Sequence, residues 1–146
     1  MAEKQRVVIV SNRLPVSLKR VGENWQSRKT AGGLTSAMQP ILEGRNGIWI
    51  GWSGDASDNN DEKRRKVLND WAKQDRHFAV DLAPDIARGF YEGISNQALW
   101  PLLHHFPSLV QFDPEDCNAY VSANEAFRDE IVKHLQPNDL VWIHDY

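Results

Sequence analysis

The sequence contains one cysteine, Cys117, and no apolar run near the roughly 18 residues that a membrane-crossing helix needs. A single thiol cannot close an internal disulfide, so no cystine framework holds this fold, and a reducing compartment suits it. The first apolar stretch, Val7–Val10, is too short for the core of a secretory signal. Charge of one sign is also scarce. With 17 Lys and Arg against 20 Asp and Glu, the net charge is −3, which gives neither nucleic acid nor an acidic membrane a field to bind. No G-x-G-x-x-G or G-x-x-x-x-G-K-[ST] pattern is present. His104 and His105 are adjacent but lack partners at metal-ligand spacing, so no metal is expected. No spacing argues for a Ser/His/Asp nucleophile. These absences leave a soluble, cytoplasmic globular domain as the expectation.

What is present is well patterned. Val7-Val8-Ile9-Val10 is a continuous β-branched run, as in a strand buried on both faces, and Ser11-Asn12-Arg13-Leu14-Pro15 is expected to break it. Val16–Val21 and Trp25–Lys29 flank Gly22-Glu23-Asn24 as a hairpin. Leu34–Leu42 has helical spacing, with Pro40 as a point where the helix would kink. Ile48–Trp52 and His77–Leu82 read as strands, on either side of an amphipathic helix over Asp61–Gln74 that turns Val67, Leu68 and Trp71 inward. Helices are expected over Ala83–Glu92 and Asn96–His105, separated by a break at Gly93-Ile94-Ser95. The longest helix is placed at Ala119–Leu135, with Val121, Phe127, Ile131 and Leu135 near one stripe, and Leu140–His144 is the last strand. Alternating strands and helices predict an α/β domain with a mostly parallel sheet. An open sheet ending two residues after its last strand is expected to be part of a longer protein.

In such sheets ligands bind beyond the carboxyl ends of the strands. That rule singles out Arg13, directly after the first strand, where a guanidinium can grip a phosphate bidentately or stand in solvent. Gly32 and Gly33 precede a helix, so they serve either as a plain turn or as a place where backbone N–H groups meet an anion. Six tryptophans are many for 146 residues. Trp49 and Trp52 are three apart and therefore face differently, with Trp52 the better candidate for a cleft. Tyr91 and Trp100 each carry a donor suited to a phosphate or sugar oxygen, although aromatic residues on helices usually pack. Asp145, after the last strand, can accept bonds from sugar hydroxyls, act as a base, or cap a following helix.

Taken together and in order, Ser11–Pro15, Ala31–Leu34, Gly51–Gly54, Ser95-Asn96 through Leu99–Leu102, Asn124 through Phe127 and Val141–Tyr146 resemble the trehalose-6-phosphate synthases. The resemblance spans essentially Val7 to Tyr146. It implies a Rossmann-like domain with a mostly parallel sheet, the N-terminal and mainly acceptor-side part of a two-domain GT-B glycosyltransferase. The donor-binding domain would lie outside residues 1–146, and this chain alone would be inactive. The implied reaction transfers glucose from UDP-glucose (some members use ADP- or GDP-glucose) to glucose 6-phosphate with retention and without metal or cofactor. Arg13, Tyr91 and Trp100 would hold the acceptor phosphate, and Trp52 would line the same pocket. Gly32 and Gly33 would meet the donor phosphates, while Asp145 would contact the acceptor sugar near the reaction centre. Cys117, Glu92 and Ile94 depart from the family's usual Trp, Asn and Phe, which bears on fine specificity.

Two other readings stand beside this one. The parent enzyme would glucosylate another phosphorylated acceptor, such as glycerol 3-phosphate, or the chain would belong to a non-catalytic sugar-phosphate-binding regulatory subunit. A dehydrogenase is disfavoured, because the glycine fingerprint is absent after the first strand. An unpaired sheet edge would also let copies of the chain associate.

Overall fold

The computed structural model describes residues 5–30, 32–55 and 61–144. Four strands form a parallel sheet in the order β5-β4-β1-β6: β1 Val7–Arg13, β4 Ile48–Trp52, β5 His77–Val80 and β6 Leu140–Ile143. A separate antiparallel hairpin, β2 Val16–Val21 with β3 Asn24–Lys29, turns at Gly22. The chain builds the sheet outward from β1 to β5, then crosses back to place β6 on the other side of β1. This reversal makes the carboxyl ends of β1 and β6 the topological switch point, where a doubly wound sheet opens a crevice.

Two cores lie on opposite faces of the sheet. One contains Val7, Ile9 and Trp49 under the hairpin, α1 Gly33–Gly44 and α2 Glu62–Gln74. The other contains Val8, Val10, Ile50, Trp52, Phe90 and Phe127 under the helices of the second half. Alternate residues of β1 and β4 supply the two cores in turn, as strand geometry requires. Trp49 and Trp52 accordingly fall in different cores.

The helix ends follow capping chemistry. The Asp61 carboxylate accepts from the amides of Lys63 and Arg64, and Asp113 accepts from Glu115 with Pro114 at the first helical position. The indole of Trp25 also donates to Asp61 at 2.7 Å, tying the hairpin to α2 and pulling the Asp61 carboxyl below its ordinary pKa. Helix α1 runs on past Pro40 to Gly44.

The second half differs most from the expectation. There is no break at Gly93. Residues 84–103 are continuously helical: α3 Pro84–Ala87, a π-helical segment Arg88–Leu99 and α4 Trp100–Leu103. The reason is packing against α5 Pro114–His134. A Cβ on Gly89 would lie 2.6 Å from that of Ala119, and one on Gly93 would meet the Asp116 side chain. The glycines are therefore sites of close helix approach. Helix α5 starts five residues before its expected position. It buries Asp116, Ala119, Ala123 and Phe127, whereas Val121 and Leu135, expected on the inner stripe, are exposed. Strand β1 is also longer than its apolar run, since Ser11–Arg13 continue it through a bulge.

Candidate functional site

The bulge in β1 builds the site. Between Ser11 and Arg13 the register against β4 slips, so Arg13 pairs with Trp52. A bulge re-aims the side chain that follows it, a device common beside functional sites. Two contacts hold it in place. The buried Trp49 indole donates to Ser11 Oγ at 2.8 Å, and Ser11 Oγ donates to the Arg13 carbonyl at 2.7 Å. Gly51 is required opposite, because a Cβ there would stand 2.9 Å from both the Leu14 nitrogen and the Ser11 oxygen. Backbone bonds from Leu14 to Trp52 and from Leu18 to Ser53 extend the junction.

Arg13 is exposed, and among the described residues no carboxylate pairs with it. Its guanidinium carbon lies 4.7 Å from the centre of the Trp52 ring and 5.2 Å from that of Tyr91, and the two rings are themselves 6.4 Å apart. Gly54, with φ +82°, passes close to the same group: a Cβ there would sit 3.1 Å from Arg13 Nη1. Cation–π contact contributes about 0.5–2 kcal/mol and fixes the plane of the fork without neutralising it. An unpaired, pre-oriented guanidinium at the carboxyl end of a central strand suits an anion with two acceptor oxygens.

The structure thus gathers Arg13, Trp52 and Tyr91. Trp52, expected to line a cleft, is packed into a core. It is buried, its N–H donates to the Asp55 carbonyl at 2.8 Å, and its face supports the arginine. Trp100 is 45% exposed and stacks on His104 at 4.1 Å, with no ring or cation contact linking it to Arg13. Tyr91 lies in the π-helical segment and Trp100 begins α4 after it, and the two share no ring contact.

Gly32 precedes α1 and Gly33 begins it. Both are exposed, and a Cβ on either would meet nothing within 4 Å. Asp145 lies outside the described residues, as does Ala31. A cavity of about 290 Å³ opens at the switch point, walled by Phe90, Phe127, Ile131 and Ile143 with Asn124, Arg128 and His144 among its polar groups. Neither Arg13 nor its two rings line it, and its mainly apolar wall is unsuited to a sugar phosphate. No group of three or more His, Cys, Asp or Glu side chains among the described residues gathers as metal ligands would.

Sequence reasoning missed the bulge and the pairing of Arg13 with Trp52. The one available signal was Gly51 between two tryptophans, because a glycine inside a strand pattern marks a close backbone approach.

The fold is that of a Rossmann-like α/β domain, of the kind found in GT-B glycosyltransferases, and an exposed arginine stands at the carboxyl end of its first strand. The chain belongs to Glycosyltransferase family 20, whose pattern matches residues 5–146. It is 41% identical over 142 residues to the alpha,alpha-trehalose-phosphate synthase [UDP-forming] A of Dictyostelium discoideum, covering 97% of this chain and 19% of that protein. A solved Escherichia coli structure bound with UDP-2-fluoro glucose superposes with a TM-score of 0.72 at 29% identity, over 97% of this chain and 28% of its own. A Burkholderia xenovorans alpha,alpha-trehalose-phosphate synthase (UDP-forming) in complex with glucose-6-phosphate gives 0.69 at 27%, over 97% and 27%. The chain therefore spans well under a third of the length of these relatives.

Proposed function

We propose that this chain supplies the acceptor-phosphate side of a retaining glucosyltransferase that transfers glucose from UDP-glucose to glucose 6-phosphate, forming trehalose 6-phosphate. The observation that carries the reading is the Arg13 guanidinium held over Trp52 and Tyr91, with no carboxylate partner among the described residues. The family membership and the relatives' names support the same chemistry.

In this reading Arg13 provides fixed charge to the acceptor phosphate, while the Tyr91 hydroxyl and the Trp100 N–H add neutral donors. The first backbone N–H groups of α1, at Gly32 and Gly33, meet the donor diphosphate. Asp145 contacts the acceptor sugar. Retention by a front-face route needs no enzyme nucleophile, since the departing diphosphate takes the acceptor's proton. Catalysis then rests on orientation and on stabilising charge at the leaving group. The donor-side groups lie beyond these 146 residues in this reading, so the chain alone binds acceptor without turnover. No helix among the described residues is long and apolar enough to cross a membrane, which is compatible with a sugar-phosphate substrate dissolved in the cytoplasm.

Calorimetric titration of glucose 6-phosphate into the chain and its Arg13→Ala variant tests the proposal. Binding that Arg13→Ala weakens by about 30-fold or more is the expected result, the equivalent of about 2 kcal/mol for a charge-assisted bond to phosphate. Equal binding by both proteins, or none by the folded parent chain, overturns it. Measurable glucose transfer by the 146-residue chain refutes the inactivity clause alone.

A further inference from the structure

Among the described residues Arg64 is the one Lys or Arg that the fold buries, at 1% exposure in the first turn of α2. Its Nε donates to Asp55 Oδ2 at 2.7 Å, and its Nη2 donates to Asp81 Oδ1 at 2.5 Å and to Asp55 Oδ1 at 3.3 Å. Burial opposes the charge, but the bonds and charges of Asp55 and Asp81 outweigh it and hold the guanidinium above its ordinary pKa. Such a buried pair is weak evidence for stability, because its desolvation cost offsets much of its attraction. Its location is more informative.

Asp55 leads directly back to the anion site. Its carbonyl accepts the Trp52 indole N–H at 2.8 Å, and its carboxylate accepts the hydroxyl of the buried Ser53. It also follows Gly54, which lies against the Arg13 guanidinium. We propose that Arg64 and Asp55 are positioning residues for Arg13, acting through Trp52. This rests on the reading of Arg13 as the acceptor-phosphate ligand. Two physical effects converge. The clamp anchors the loop 53–55 between β4 and α2, which fixes the indole plane on which the Arg13 fork lies. Arg64 also engages the carboxylate of Asp55, the residue next to Gly54, so that this acid is bound to Arg64 and the Arg13 charge is left to the ligand. Outer groups that orient a binding residue control its affinity without touching the ligand.

The test is calorimetric titration of glucose 6-phosphate, and of inorganic phosphate, into the parent chain and into Arg64→Lys, Asp55→Asn, Asp81→Asn and Arg13→Ala, each with its thermal unfolding midpoint. Arg64→Lys and Asp55→Asn are expected to weaken both ligands by about tenfold. Asp81→Asn loses the arm of the clamp that does not reach Trp52, so it should bind within about twofold of the parent even where its midpoint falls. Should Arg64→Lys fail to fold, Ser53→Ala, which removes a donor to the Asp55 carboxylate, is expected to weaken binding in the same sense. Unchanged affinity in folded Arg64→Lys or Asp55→Asn, with binding lost in Arg13→Ala, sinks this inference and leaves the acceptor reading standing. Affinity losses that simply track midpoint, Asp81→Asn included, reduce the clamp to a structural role and also overturn it. If Arg13→Ala binds like the parent chain, the acceptor reading itself fails first.

Discussion

Two arginines at the carboxyl edge of the sheet are held in opposite ways. Arg64 is buried and held by two carboxylates, whereas Arg13 is exposed, paired with no carboxylate among the described residues, and backed by two aromatic rings. The same side chain therefore serves two ends. Where its charge is consumed within the protein it locks a loop, and where aromatic faces orient it without neutralising it the charge stays available. Rings can hold a guanidinium by its face, leaving its N–H edge outward, which a carboxylate partner cannot do.

The comparison is sharpest in stability. Arg64→Ala strands the Asp55 and Asp81 carboxylates and should cost about 3 kcal/mol. Arg13→Ala breaks no ion pair among the described residues and loses only cation–π contact at an exposed site, so it should cost about 0.5–1 kcal/mol, with its main effect appearing in phosphate affinity instead. Denaturant unfolding of both variants checks this, and similar losses would erase the distinction. Gly93→Ala comes next. A methyl group there meets Asp116, so α5 and the π-helical segment must separate, at about 1–3 kcal/mol. Because Tyr91 rides on that segment, phosphate affinity should fall together with stability, and a stability loss with intact affinity would detach the helix from the site.

The smallest expected effect concerns a third basic group. His77 is buried with neither ring nitrogen bonded among the described residues, and its desolvation outweighs the nearby Asp75 to lower its pKa. The folded protein thus keeps it neutral while the unfolded chain takes up a proton below about pH 6.5. Stability is full above that pH and declines as pH falls through it, by at most about 1.4 kcal/mol per pH unit for one proton. Unfolding midpoints from pH 7.5 to 5.5 should show the decline, and His77→Phe should abolish it. A flat profile in the parent chain would mean that burial does not hold the ring neutral.

Much of this was legible from residue order. Val7–Val10, Ile48–Trp52 and the Asp61–Gln74 helix carry their periodicity openly, and Arg13 stood out because a charge directly follows a buried strand. Trp49 and Trp52 were separable by strand alternation alone. Gly93 misled, since a glycine that ends a helix and a glycine that lets two helices touch are the same letter. Val121 misled for a related reason: α5 packs along a stripe of Ala119, Ala123 and Phe127, and small residues are buried there because the neighbouring segment comes close.

Local sequence by itself determined the alternation of strands and helices, hence a parallel sheet and a site at its carboxyl edge. It also placed Arg13 and Trp52 at that edge. Tertiary structure alone decided that they meet. The bulge that pairs Arg13 with Trp52 depends on Trp49, Ser11 and Gly51, whose contacts cross between strands 38 residues apart. The close approach of the π-helical segment that carries Tyr91 depends on α5 packing against Gly89 and Gly93. Periodicity reports what a segment does with its own neighbours along the chain. Register and close approach at this site are set by the space that another segment leaves.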